Sequence, residues 1–416
     1  MSQPLDVLTR DSRILFTTRT ARLFGYGFLS VVLVLYLTQL GLDEGQVGLL
    51  LTLTLIGDTA ISLWITTHAD RIGRKRMLIA GAGLMVLAGI LFVITSNYFL
   101  LVLAATIGVI SPSGNEVGPF LSIEQASLSH LLPDNRRTGI FAWYNLVGSF
   151  ATALGALCGG GLSQLLRSSG MPALEAYRFV VLGYAVIGLL LAVMFLRLSP
   201  AIENHPKAGP KEDEPVVHPT FLGLGRSRGI VLRLAGLFSL DAFAGGFVIQ
   251  SFVAYWFHIR FGVEPALLGG IFFGANVLAG ISALSAAWVA RRIGLIRTMV
   301  FTHLPSNVLL MLVPLMPNLP LAITVFLLRF SISQMDVPTR QSYTMAMVEP
   351  NERSAAAGVT GVSRTIGASL APIFTGILFS NAALLSLPFL ISGSLKIIYD
   401  LILYRSFQAH RPPEER

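Results

Sequence analysis

Twelve ionisable residues fall inside long apolar stretches of the sequence, six basic and six acidic. Charges in hydrocarbon are costly and mark either function or mutual neutralisation. Glu116 and Glu124 lie in a segment reading Ser111-Pro112-Ser113-Gly114-Asn115-Glu116-Val117-Gly118-Pro119, which continues from Phe120 to Gln125. Each proline lacks an N–H and clashes with the carbonyl four residues back, so a helix here must kink or open. Eight residues apart, the two glutamates sit about 80° apart on a regular helix and share one broad face. A desolvated glutamate there could carry a proton, whereas one paired with an arginine would stay charged. A second stripe, Arg329, Asp336 and Arg340, has spacings of 7 and 4 that bring the three within about 40° of one another, with Ser333 and Tyr343 on the same side and Pro338 interrupting. A guanidinium grips carboxylates bidentately, which suits an anionic solute. Asp241 and Arg364 reach similar depth. The expected proton-coupling residues are therefore Glu116, Glu124 and Asp241. The expected solute contacts are Arg329, Asp336, Arg340 and Arg364, with Tyr26 and Phe120 in an apolar wall alongside Trp143, Tyr144 and Trp256.

The other buried charges have plainer readings. Lys396 and Asp400 are spaced four apart, as in a helix-surface ion pair. Arg19 and Arg22 precede the apolar part of their run and read as interfacial anchors that snorkel, with Arg22 and Tyr26 able to face a cavity mouth. Asp58 stands alone on its run, open equally to a structural and a functional reading.

The elements that must position these groups are membrane spans. The chain has 416 residues, 53% hydrophobic and only 12% charged, where a soluble domain carries about 25% charge. This excludes a disordered chain, a disulfide scaffold and a nucleic-acid-binding module. A span needs about 20 mostly apolar residues, and twelve such runs occur: 15–40, 46–67, 77–96, 98–130, 138–165, 176–197, 229–257, 265–290, 298–316, 319–347, 354–379 and 383–404. The polar stretch 199–228 divides them into halves at 1–198 and 229–416. With the N-terminus inside, twenty-one of the 30 Lys and Arg residues fall on the cytoplasmic side and three (Arg167, Arg178, Arg260) outside. The net charge of +8 is therefore a topology signal that places both termini in the cytoplasm.

The halves also repeat. A shift of 221 residues places Gly41-Leu42-Asp43 on Gly262-Val263-Glu264, Gly48 on Gly269, Arg71-Ile72-Gly73 on Arg292-Ile293-Gly294 and Arg76 on Arg297, without a gap. Parallel repeats of this kind are one way transporters build alternating access, and interrupted spans at matching positions point to the transport site.

The loop Asp70-Arg71-Ile72-Gly73-Arg74-Lys75-Arg76 resembles the signature loop of the major facilitator superfamily. Thr66 stands where the family pattern begins with glycine, and Arg291 replaces the aspartate in the second copy. The resemblance covers essentially the whole chain. It implies an all-α membrane protein whose twelve transmembrane helices form two pseudo-symmetric six-helix bundles rocking about a midplane cavity. It further implies a conformational latch made by Asp70, Arg71, Gly73 and Arg74, with Asp70 meeting the start of the eleventh span near Ser354. Spans 1, 4, 7 and 10 would line the cavity and bring Asp241 near Arg329. In span five, Gly148 and Gly155-Ala156-Leu157-Cys158-Gly159-Gly160 is similar to the glycine-rich motif of the superfamily's drug–proton antiporters, with Ala156 in the place of a proline; close helix packing is the plainer reading.

The function implied is proton-coupled export of a small organic solute. The alternatives are uptake or uniport of an organic anion, and a non-transporting membrane receptor, which tight binding without flux would distinguish. The expected partners are the solute, protons and membrane lipid, without nucleic acid, in a monomer most at home in a plasma (bacterial inner) membrane. One cysteine and scattered histidines offer no metal site, no cofactor is implied, and no catalytic triad argues for an enzyme.

Overall fold

The computed structural model describes residues 9–131, 134–203, 224–349 and 352–408; residues 204–223, the middle of the linker expected at 199–228, lie outside this set. All long elements among the described residues are helices. In chain order they are α1 (Arg10–Ser30), α2 (Leu33–Gln39), α3 (Glu44–Ile72), α4 (Arg74–Ile94), α5 (Tyr98–Ile107), α6 (Phe120–Leu131), α7 (Asp134–Ser168), α8 (Ala173–Leu196), α9 (Arg228–Gly246), α10 (Gln250–Phe261), α11 (Pro265–Ile293), α12 (Leu295–Leu312), α13 (Leu319–Phe330), α14 (Asp336–Ala346), α15 (Arg353–Phe379) and α16 (Leu387–Phe407). Nine segments among the described residues are long and apolar enough to cross a membrane, α9 and α10 counting as one. The pair α1 and α2, bent by 45°, makes a tenth. The two remaining expected spans, 98–130 and 319–347, are each divided into two shorter helices, α5 with α6 and α13 with α14.

The repeat seen in the sequence is repeated in the backbone. α3 and α11 are both 29 residues long and 221 residues apart, and both end at a glycine of positive φ, Gly73 at 115° and Gly294 at 87°. A residue with a Cβ is strained in that region, so glycine allows the sharp reversal into α4 and α12. Asp43 starts α3 with a capping box closed by Gln46.

The chain forms two compact units. The first comprises residues 1–204, 248–280 and 372–385. Its helices touch at glycines. A Cβ on Gly155 would sit 2.0 Å from the Phe24 carbonyl oxygen, and one on Gly159 would sit 2.1 Å from that of Phe28, so α7 lies backbone to backbone on α1. The span-five glycine run therefore does packing work, with Gly160 turned instead onto the start of α11 at Pro265 and Gly269. Likewise Gly57 brings α3 onto Thr106 at the end of α5. The break between α5 and α6 is held from within: Ser251 donates both its N–H (3.0 Å) and its hydroxyl (2.6 Å) to the Pro112 carbonyl. This supplies the internal partner that a freed carbonyl needs in lipid.

The second unit comprises residues 205–247, 281–371 and 386–416. Leu234, Phe238, Met299, Tyr343, Tyr399 and Leu403 form its core, where α9, α12, α14 and α16 meet. Close approaches again fall at glycine, such as Gly367 against the Ser239 carbonyl.

Candidate functional site

Among the described residues, each unit contains a buried charge network. In the first unit it is centred on Arg22 of α1, whose side chain is wholly buried. Nη1 and Nη2 donate to Oε1 and Oε2 of Glu124, both at 2.7 Å, and Nε donates to Glu116 at 2.9 Å. Glu124, on α6 and also wholly buried, further accepts from Thr18 (3.2 Å) and from the Tyr144 hydroxyl. Arg19 lies 3.0 Å from Glu116, donates to Asn145 at 3.2 Å and stacks over the Tyr144 ring. Its Nη1 is not aligned for a hydrogen bond, so Glu116 is the more loosely held acid.

The structure thus brings Glu116 and Glu124 together, but through a break and a helix start instead of one continuous helix face. Glu116 belongs to the segment 108–119, which lies between α5 and α6. Tyr26 and Phe120 join the same network: the Tyr26 hydroxyl donates to the Val117 carbonyl at 3.0 Å, and the Arg22 guanidinium lies over the Phe120 ring. Trp143 points outward and is 44% exposed, while Trp256 is buried among Phe257 and Phe261. The anchor reading of Arg19 and Arg22 is wrong. Both arginines turn inward from α1: their side chains are 7% and 0% exposed and are paired with Glu116 and Glu124.

The second network is centred on Asp241 of α9, which is 4% exposed. It is paired with Lys396 at 2.6 Å and with Arg340 and Arg364 at 3.2 Å each. Arg340 also holds Asp336 at 3.0 Å, one helical turn back. His303 lies 3.9 Å from Asp241 and bonds Asp400 at 2.9 Å, and Asn307 donates to Asp400 at 3.0 Å. The expected Lys396–Asp400 pair is therefore absent: each residue turns to a different neighbour, Lys396 to α9 and Asp400 to α12. Arg329 does not pair with Asp241. It ends α13 over the Phe330 ring, its Nε buried without a partner among the described residues. Pro338 marks the break from its C-terminal side, because its ring would clash with the Gln334 carbonyl of a continuous helix. It sits in the first turn of α14, where its missing N–H costs nothing, and residues 331–335 form the interruption.

Sequence reading missed His303 and Asn307. Their i, i+4 spacing on an apolar run was the available signal, since it places two polar groups on one helix face.

At the loop 70–76, Asp70 bonds Arg74 at 2.8 Å and its side chain is 61% exposed. The side chain of Ser354, its expected counterpart, lies outside the described residues. Glu203 caps the start of α4, accepting from the N–H groups of Arg74 (2.7 Å) and Lys75 (3.2 Å), which puts a carboxylate at a helix N-terminus. In the second unit Glu352 does the same for α9. Its desolvation favours the neutral acid, but the Ser227 hydroxyl and the N–H groups of Ser227, Gly225 and Arg226 hold the carboxyl below the usual range.

Membrane spans carrying buried ion networks at helix breaks define a solute-transporting membrane protein. The chain belongs to the Major Facilitator Superfamily, whose family model matches residues 15–372. It is 34% identical to the "Uncharacterized membrane protein YJR124C" of Saccharomyces cerevisiae over 95% of this chain and 93% of that one. A shorter match, 27% identical over 36% of this chain and 33% of the relative, is to the Na(+), Li(+), K(+)/H(+) antiporter of Planococcus maritimus. Among solved structures, an inward-facing, unoccupied bacterial homolog of the human lysosomal transporter Spinster shares the fold, with a TM-score of 0.75 at 16% identity over 96% of this chain and 97% of that one. The protein is an integral, multi-pass membrane transporter and not an enzyme.

Proposed function

We propose that the protein is a proton-coupled secondary transporter that exports a small organic solute. The observation that carries this reading is the hold of Arg22 on both Glu116 and Glu124 across the broken fourth span. An ion network that binds a helix break is a two-state element: protonating Glu116, the looser acid, frees Arg19 and part of Arg22, and the break can then rearrange. Glu124 and Asp241 act as the fixed anions against which the cations re-pair. A relative named as a proton antiporter supports the coupling ion. The halves 1–198 and 229–416 serve as the moving bodies, with Asp70, Arg71, Gly73 and Arg74 as a latch at their cytoplasmic loop. The protein works as a monomer in a plasma membrane, both termini in the cytoplasm.

A second reading, transport of an organic anion, has its own support. The membrane part of the second unit holds four basic side chains (Arg329, Arg340, Arg364, Lys396) against three carboxylates (Asp241, Asp336, Asp400). The surplus charge and the partnerless Nε of Arg329 suit a carboxylate or phosphate on the solute. Transport by Arg329→Gln and Glu116→Gln in proteoliposomes tests both. Loss of anion affinity in Arg329→Gln with coupling intact supports the anion reading, and loss of coupling in Glu116→Gln with affinity intact supports the proton role. Full pH-driven transport by Glu116→Gln removes that residue from the mechanism.

A further inference from the structure

Asp58 is the charge in the first unit that no network absorbs. It is 7% exposed, and among the described residues it forms no ion pair, unlike Glu116 and Glu124. The membrane part of this unit holds two arginines, Arg19 and Arg22, against three carboxylates, Asp58, Glu116 and Glu124. One negative charge is left over, and the geometry locates it at Asp58.

The position is deep. Asp58 is the middle residue of α3, fourteen residues from either end, about 20 Å of helix on each side and so close to the midplane of a bilayer. It is also firmly seated. Its neighbour Gly57 presses α3 against Thr106, where an added Cβ would fall 1.9 Å from the carbonyl oxygen, and the fourth span opens directly after this contact. The Ser62 hydroxyl lies 3.5 Å from the carboxyl, and the Gly118 N–H and Glu116 of the break and the Tyr26 and Tyr184 phenols of α1 and α8 are near enough to interact with it electrostatically. The Tyr26 and Tyr184 hydroxyls donate elsewhere, to the Val117 and Val109 carbonyls, and none of these groups carries a positive charge. A lone buried carboxylate is expensive, and binding one proton removes the charge without adding any other partner.

We propose that Asp58 is a proton-binding site of the transport cycle: its carboxylate takes up one proton as the acid and releases it as the break between α5 and α6 rearranges. This rests on the proton-coupled reading above and adds a residue to it. The link to the break is electrostatic: Gly118 and Glu116, two residues apart in that segment, both act on the Asp58 carboxyl. With Asp58 ionised, three carboxylates stand against the two arginines; with Asp58 protonated, the arginines and the remaining acids balance two against two.

The test reads proton binding without any solute. The full-length protein in lipid is acidified from alkaline to mildly acid pH, and the carboxylic-acid C=O stretch is followed by infrared difference spectroscopy. Measured in the Glu116→Gln background, which removes the acid assigned a proton above, one such band per chain should grow, vanish when Asp58→Asn is added and change frequency when Asp58→Glu is added. Survival of the band in Asp58→Asn overturns the proposal. If that variant does not fold, an unchanged band in Asp58→Glu does so. Since no solute is used, a failure here leaves the transport reading standing, whereas a wild type that binds this proton but transports nothing sinks that reading and leaves Asp58 a proton site outside any transport cycle.

Discussion

Replacing Glu124 by glutamine keeps the shape of the side chain and removes its charge, so it isolates what the first network contributes. Four donors converge on the carboxylate: two from Arg22, one from Thr18 and one from Tyr144. A glutamine presents one oxygen and one NH2 group, and the NH2 must face donors. If it replaces Oε1, Thr18 can turn to the Leu15 carbonyl at 3.0 Å, which already accepts from it, but the Arg22 Nη1 is left bare. If it replaces Oε2, Arg22 Nη2 and the Tyr144 hydroxyl are both left. Either way a buried guanidinium loses half of its bidentate anchor, and breaking such a pair costs about 3–5 kcal/mol. Glu116→Gln should cost less, about 1–2 kcal/mol, because its side chain is 16% exposed and Arg22 keeps Glu124. Tyr144→Phe removes one donor to a charged group and should cost about 1.5–3 kcal/mol. Reversible unfolding in mixed micelles, titrated with a denaturing detergent, measures all three. A Glu124→Gln loss below about 1 kcal/mol, or one no larger than that of Glu116→Gln, would refute the claim that Glu124 is the fixed anchor of the network.

Three further outcomes follow from the packing and the caps. Gly155→Ala should destabilise by about 1–3 kcal/mol, because its Cβ must push the Phe24 carbonyl away and part α1 from α7. Gly161→Ala on the same helix meets open space and should stabilise by up to about 1 kcal/mol, in the same unfolding assay. The folded Glu352 carboxyl titrates below its unfolded value, which is near 4.3. Its cap on α9 therefore contributes stability above that pH and loses it as pH falls through the lower folded value. Amide exchange at Gly225 to Ser227, corrected for intrinsic rate, should rise across that acid range in the wild type and stay flat in Glu352→Gln.

Much of the architecture was legible because it is local. Pro112, Gly114, Gly118 and Pro119 mark the break in span four, and the 221-residue register survives as equal helices ending at Gly73 and Gly294. The presence of buried charge on spans 1, 4, 7, 10, 11 and 12 was equally plain. The partners were not, because helical spacing says which residues share a face and not which helix lies opposite. Lys396 and Asp400 satisfy the i, i+4 rule, yet Lys396 bonds Asp241 and Asp400 bonds His303. Arg22 was misread for the same reason: its place near the start of an apolar run does not reveal that Glu116 and Glu124 lie opposite it. Glycine runs carry the same ambiguity, and contact geometry assigned those of α7 to packing on α1 and α11.

The central claim is coupling of solute movement to protons, and the wild-type protein alone can test it. Proteoliposomes loaded with a pH-sensitive dye, challenged with organic anions, cations and neutral amphiphiles, should show proton movement that depends on at least one solute, with anions favoured if the surplus cation near Arg329 faces the solute. Solute transport that proceeds at the same rate with and without a pH gradient, and moves no protons, would contradict it.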